Sequence, residues 1–182
     1  MLLKSPNNQT KKNKNKNSKA DIVKFVKEIT KFAFFIILLV SAIDFWRSKD
    51  MPSELIPPLS INTIDGDWVD IEKMSHEKPV LLYFWGTWCP ICNIVSPSVS
   101  WLASDHQVVS VAITSGDNKR LSQFMNYKEY DFPVVNDSTG NISKEWGVTA
   151  TPSIVIINNG KVSSITTGAT TPIGLWLRLF FA

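Results

Sequence analysis

Two cysteines three positions apart, set between an apolar run and a helical repeat, constrain this chain of 182 residues more than any other feature. Cys89 and Cys92 are its only cysteines. Before them, Pro79-Val80-Leu81-Leu82-Tyr83-Phe84-Trp85 is rich in β-branched and aromatic residues and reads as a buried strand stopped by Gly86. After them, Ile91, Val95, Val99 and Leu102 recur at three- and four-residue spacing, as one buried face of a helix would. A first thiol at that helix start lies beside unpaired backbone N–H groups and the positive end of the helix dipole, which favour the nucleophilic thiolate. Cys92, nearly one turn further on, is spaced to attack a mixed disulfide formed at Cys89.

Other uses of a Cys-x-x-Cys pair fit less well. A closed zinc site wants four Cys or His ligands, and only His76 and His106 are available besides the pair. Haem attachment would need His directly after Cys92, where Asn93 stands. The pair therefore reads as a redox couple, with no metal. Soft thiolates also hold Cu(I) at low coordination number, so a Cu(I)-binding module is the alternative from a different class. None of the four methionines, Met1, Met51, Met74 and Met125, flanks the pair.

The net charge of +3 conceals two regions of opposite sign. Residues 1–31 carry nine Lys against Asp21 and Glu28, or +7, which leaves −4 on the remaining 151 residues. Nucleic-acid binding by the basic tail is the weaker reading, because the tail leads straight into an apolar stretch. Residues 1–28 read as a disordered basic cytoplasmic tail that passes into an approach helix. The uninterrupted apolar run, Phe32 to Ile43, is only twelve residues, whereas a membrane span usually needs about twenty. Counting from Ile29 to Trp46 gives eighteen residues, about 27 Å of helix, and a transmembrane anchor over 29–46 is expected. A cleaved export signal ending near Val40-Ser41-Ala42 is the competing reading. The expected localisation is an inner membrane crossed once, with the domain on the periplasmic or extracytoplasmic side, where thiols meet an oxidising compartment. Residues 47–58, with Pro52, Pro57 and Pro58, read as a semi-rigid linker, and 59–182 as one folded domain.

Within that domain, Leu59 to Ile64 and Trp68 to Ile71 alternate around Asp65-Gly66 as an opening hairpin. Val108 to Ile113 reads as a second buried strand and Asn118 to Tyr127 as a second helix. A turn at Asp137-Ser138-Thr139-Gly140 precedes a short helix around Ile142 to Trp146. Ser153 to Ile157 and Val162 to Thr166 flank Asn158-Asn159-Gly160-Lys161, a strong hairpin signal, and the chain closes in a helix with Leu175 and Leu179 on its buried face. Trp85, Trp101 and Trp146 read as core, Trp88 as an exposed residue beside the nucleophile that touches substrate, and His76 and His106 as surface loop residues.

From about Leu59 to Ala182 the chain resembles the thioredoxin superfamily, and within it the membrane-anchored extracytoplasmic branch that includes TlpA, DsbE and ScsD. The residues that carry the resemblance are Phe84-Trp85-Gly86-Thr87-Trp88-Cys89-Pro90-Ile91-Cys92, Pro97 inside the following helix, and Trp146-Gly147-Val148-Thr149-Ala150-Thr151-Pro152-Ser153. The anchor ending in Asp44-Phe45-Trp46-Arg47 is most similar to the ScsD type. The resemblance implies a thioredoxin-like α/β fold, a central mixed sheet flanked by helices, with a TlpA-type insertion over Phe132 to Trp146 and an N-terminal transmembrane helix. It implies a cis Thr151-Pro152 bond beside Cys89, with Thr151 and Pro152 offering main-chain groups to an extended substrate. It also implies no cofactor beyond the redox-active disulfide, extracytoplasmic protein thiols or disulfides as partners, and a DsbD-type membrane electron donor.

Two departures from thioredoxin stand out. The buried Asp that thioredoxin carries six residues before its first cysteine is Tyr83 here, and a phenol with an ordinary pKa near 10 is a poor base. The proton acceptor for Cys92 is thus without a sequence candidate. The dipeptide between the cysteines is Pro90-Ile91, without the His of a strong oxidant, so Cys89 is expected to be acidified less than in DsbA. The expected activity is a membrane-tethered thiol-disulfide oxidoreductase, with Cys89 as nucleophile and Cys92 resolving, that reduces protein disulfides. A disulfide-forming oxidant of the same fold is the alternative direction.

Overall fold

The computed structural model describes residues 24–32, 34–36, 38, 39, 42, 51 and 56–182. The chain divides into two units, Met1–Ile43 and Asp44–Ala182. In the first, residues 24–32 are helical and exposed, and Lys31 pairs with Glu28 at 3.0 Å. Among the described residues no helix is long and apolar enough to cross a membrane. That finding overturns the transmembrane anchor expected over 29–46, and with it the single-pass inner-membrane placement. The physical reason is length: the apolar run is twelve residues against the roughly twenty of a span, and the eighteen-residue count required Lys31 inside it. Of the tail and approach helix expected over residues 1–28, residues 1–23 lie outside the described residues.

The second unit runs β1 (Ser60–Asn62), β2 (Trp68–Asp70), α1 (Ile71–Glu77), β3 (Val80–Trp85), α2 (Pro90–Ala103), β4 (Gln107–Ile113), α3 (Asn118–Lys128), β5 (Val134–Asp137), α4 (Asn141–Glu145), β6 (Ser153–Asn158), β7 (Lys161–Thr167) and α5 (Pro172–Phe180). β1 and β2 pair by themselves, and the other five strands form one sheet in the order β5-β4-β3-β6-β7. β3 is central, parallel to β4 and antiparallel to β6. β4 pairs β5 in parallel and β6 pairs β7 antiparallel, so the sheet is mixed. Every residue of β3 is buried, which explains why it reads as a continuous apolar run.

Alternation along the strands divides the core in two. Leu81, Tyr83 and Trp85 face one side, where Cys92, Val95, Val99 and Leu102 of α2, Leu121 and Met125 of α3, and Leu175 and Leu179 of α5 complete a cluster. Val80, Leu82 and Phe84 face the other, against Val109, Val111, Val135, Ile71 of α1 and Trp146. Met51 is buried within this second cluster. The β6–β7 turn is Asn159-Gly160, both at positive φ, as a two-residue hairpin loop requires.

Five readings from the sequence are corrected. Trp68 to Ile71 does not continue as a strand: Asp70 accepts the Lys73 N–H at 3.1 Å and starts α1, a helix that alternation around Val69 concealed. His76 accordingly sits on a helix, exposed, rather than in a loop. Val134–Asp137 forms an edge strand, β5, a stretch to which the sequence reading gives no element before the turn at Asp137-Ser138-Thr139-Gly140. On α2 the buried face is Cys92, Val95, Ser96, Val99 and Leu102, which leaves Ile91, a hundred degrees away, exposed. Trp101, on the same outward side, is exposed as well, not core.

Candidate active site

The cysteine pair is reached through a loop that its own side chains lock. A side chain on Gly86 would stand 2.7 Å from the Trp88 indole, so only glycine allows Trp88 to fold back. The Thr87 N–H donates to Ser115 Oγ at 3.0 Å, and the Ser115 hydroxyl donates to the Ile113 carbonyl at 3.0 Å. Trp88 Nε1 donates to that same carbonyl at 3.0 Å while 57% of the residue stays exposed. The loop is therefore tied to the C-terminal end of β4, beside the end of β3.

Cys89 is the N-cap of α2, in extended backbone conformation, with Pro90 at the first helical position. Its Sγ accepts the Cys92 N–H at 3.1 Å, which uses one of the donors a helix start leaves unpaired. Cys89 and Cys92 are joined in a disulfide with their Cα atoms 5.3 Å apart, and both are buried. In the reduced protein the same N–H and the helix dipole favour charge on Cys89, whereas Cys92, one turn inside, has its amide committed to that bond.

The Thr151-Pro152 peptide bond is cis. Phe84 pairs with Ser153, so the proline comes just before β6, at the end of the sheet where β3 hands over to the Cys89 loop. Pro152 is buried, its carbonyl accepting the Gly168 N–H at 2.7 Å, and Ser153 donates its hydroxyl to the Ala150 carbonyl at 2.8 Å. Thr151 is half-buried and stands outside the β3–β6 ladder.

Beneath the disulfide, Tyr83 is fully buried, and its hydroxyl lies 3.0 Å from Ser96 Oγ and donates to the Cys92 carbonyl at 3.5 Å. Burial pushes the Tyr83 phenol up, against the opposing effect of Ser96, so it stays protonated. Tyr130, half-buried, has its phenol raised by burial as well. Tyr83 stacks on Trp85 at 6.2 Å and meets Phe132 edge-on, and Tyr130 stacks on Phe132 at 5.6 Å. The sequence points to Cys89, Cys92, Trp88, Thr151 and Pro152, which the structure brings to one end of the sheet, and not to Ser96, Ser115 or Tyr130. Ser96 was findable, since it lies four residues after Cys92 and so on its face of α2. Ser115 and Tyr130 come from strand ends and loops whose proximity only the sheet order creates.

A redox disulfide at a helix N-terminus, reached from the central strand of a mixed sheet and with a cis-proline at the same end, defines a thioredoxin-like thiol-disulfide oxidoreductase. The chain belongs to the AhpC/TSA family, whose model matches residues 52–165. It is 38% identical over 162 residues to a thioredoxin-like protein of Haemophilus influenzae, which covers 88% of this chain and 96% of that protein. It is 30% identical to the thiol-disulfide oxidoreductase ResA of Bacillus cereus, over 72% of this chain and 83% of that one. Among solved structures, a secreted Mycobacterium tuberculosis disulfide oxidoreductase homologous to DsbE of E. coli superposes with a TM-score of 0.59 at 26% identity, over 68% of this chain and 96% of that chain.

Proposed function

We propose that the chain works as a protein-disulfide reductant in which Cys89 attacks and Cys92 resolves. Thiolate Cys89 takes one sulfur of a substrate disulfide, and Cys92 then displaces the substrate as a thiol and leaves Cys89–Cys92 oxidised. The observation that carries this assignment is the 3.1 Å bond from the Cys92 N–H to Cys89 Sγ at the start of α2, which stabilises the attacking thiolate. Trp88, exposed and anchored through its indole N–H, and Thr151 with Pro152, outside the strand ladder, are the proposed substrate contacts. The absence of His between the cysteines favours reduction over oxidation, since a strong oxidant needs a more stabilised thiolate. The disulfide is the proposed redox group, reduced again by a DsbD-type electron donor, and the β5–α4 segment within Phe132 to Trp146 is read as the TlpA-type insertion.

The reduction potential of the pair tests the direction. Equilibrating the full chain against dithiothreitol or glutathione mixtures should give a value near about −270 mV, as for a reductant. A value near about −120 mV would make the protein a disulfide donor instead.

A further inference from the structure

Trp85 is the last residue of β3 to pair with β4, yet the chain beyond it keeps hold of β4 through a side chain. Ser115 lies two residues past the end of β4 and is buried. Its oxygen accepts the Thr87 N–H at 3.0 Å, where a continuing ladder would have offered a carbonyl, and its own proton goes to the Ile113 carbonyl at 3.0 Å. That carbonyl also accepts the Trp88 indole N–H at 3.0 Å, so both of its lone pairs are occupied. The Cys89 N–H closes a turn on the Gly86 carbonyl at 3.1 Å. Thr87 is thus a central residue of the turn whose last residue is the N-cap of α2. Ser115 reaches Thr87 because Thr114 has a φ of 41°, in the left-handed region that a β-branched residue rarely enters. The end of β5 holds that conformation in place. The Thr114 N–H donates to the Asp137 carbonyl at 2.9 Å, and Asn136 Nδ2 donates to the Gly116 carbonyl at 3.0 Å. Backbone strain persists where its surroundings impose it, and it clusters at functional sites.

We propose that Ser115 is a positioning residue for Cys89: by fixing the Thr87 N–H it holds the turn that sets Cys89 as the N-cap of α2, and so sets the acidity and reduction potential of the pair. The inference rests on the reading of Cys89 as the attacking thiol. Cys89 Sγ can accept the Cys92 N–H, as it does at 3.1 Å, only while Cys89 keeps the extended backbone of a cap. A loosened turn leaves the sulfur at that N–H for part of the time, and the thiolate is favoured less. A reduced pair with a less stabilised thiolate closes to its disulfide more readily, which makes the potential more negative. Ser115 touches neither sulfur, and its effect passes through Thr87 alone. The support from Asn136 and Asp137 places the β5 end of the sheet behind the nucleophile.

Two variants of the full-length protein test this, Ser115→Ala and Thr114→Gly. In Ser115→Ala the thiolate of the reduced protein, followed by its ultraviolet absorbance against pH, should appear at higher pH than in the wild type. The equilibrium constant for reducing the pair with dithiothreitol should fall about fivefold, the factor that one N-cap contact is worth, or about 20 mV toward a more negative potential. Thr114→Gly keeps the hydroxyl and takes the left-handed conformation without strain, so its titration and potential should match the wild type. A Ser115→Ala protein that loses thermal stability but keeps the wild-type titration and potential would make Ser115 a packing residue and overturn the proposal. A shift as large in Thr114→Gly would place the effect in the backbone and overturn it too. The reading of Cys89 as the attacking thiol fails by a different result: the acid-shifted thiolate would survive in Cys89→Ser and vanish in Cys92→Ser.

Discussion

The two faces of the central sheet are made from alternate residues of the same strands, yet they differ in kind. The face under α2 buries aromatic rings and hydroxyls together: Tyr83, Trp85 and Phe132 with Ser96 and Ser110. The opposite face is almost wholly aliphatic, Val80, Leu82, Val109, Val111, Val135, Val155 and Ile157, closed by Phe84 and Trp146 at 5.7 Å. Buried hydroxyls must be partnered, and each costs free energy if it is not. A fold seeking stability alone would have both faces like the second. Buried hydroxyls set among aromatic rings are kept where the disulfide is, and the aliphatic strand residues of the opposite face carry the packing.

Removing the largest side chain of the aliphatic face tests that division most severely. Trp146 is buried at the end of α4 and packs on Phe84 of β3, so Trp146→Ala should cost about 3 to 5 kcal/mol, as aromatic truncations in cores do. The expected result is a large drop in the denaturant midpoint with an unchanged reduction potential for Cys89–Cys92 in the fraction that remains folded. A potential that moves with the stability would mean that the two faces are coupled through β3 and that the contrast between them is superficial.

The sequence told much more about the disulfide face than about its partner. β3, α2 and the cysteines follow from an unbroken apolar run, Gly86 and a helical repeat, all local signals. The Asn159-Gly160 hairpin is equally local. What escaped was set by long-range pairing. β5 is four residues long and becomes a strand because Val134 to Asp137 finds β4, and nothing in Phe132-Pro133-Val134-Val135 announces that partner. α1 was hidden because Asp70 ends a strand and caps a helix at once. The stripe on α2 was mis-set by one residue, since Ile91 and Cys92 are both apolar and only packing decides which turns inward. The same limit applied to the candidate site: the thiols were legible, but the hydroxyls that meet beneath them arrive from β3 and α2.

Alkaline pH should expose the difference between the faces more gently. Burial raises the Tyr83 phenol above the value near 10 that it has in an unfolded chain. Above that pH the folded state keeps a proton that the unfolded state releases, so stability is fully present below about pH 10 and falls as pH rises past it. Tyr130, half-exposed and raised by the same cause, adds a weaker contribution of the same sign. Tyr83→Phe should flatten the alkaline limb of the stability curve while leaving its acid limb unchanged, measured by urea unfolding at a series of pH values. An alkaline limb as steep in Tyr83→Phe as in the wild type would assign it to other groups and weaken the link between this face and its buried phenols.

The acid limb should draw on a residue outside both buried clusters. Asp70 caps α1, the helix that lays Ile71 against the aliphatic face, and its carboxylate is held below its ordinary range chiefly by the Lys73 N–H and then by Ser60. A lowered value means that the folded state binds its proton less readily than the unfolded state. The stabilisation is therefore present above the ordinary carboxylate pKa near 3.8 and is lost as pH falls through the lower folded value. Asp70 is only partly buried, so solvent screening keeps the effect small, the least of the three. Asp70→Asn retains a capping oxygen but cannot titrate, and it should flatten the acid limb with little change at neutral pH. The alkaline limb should be indifferent to it. If Asp70→Asn altered both limbs equally, α1 would be communicating with the phenols across β3, and the two faces would be responding as one core.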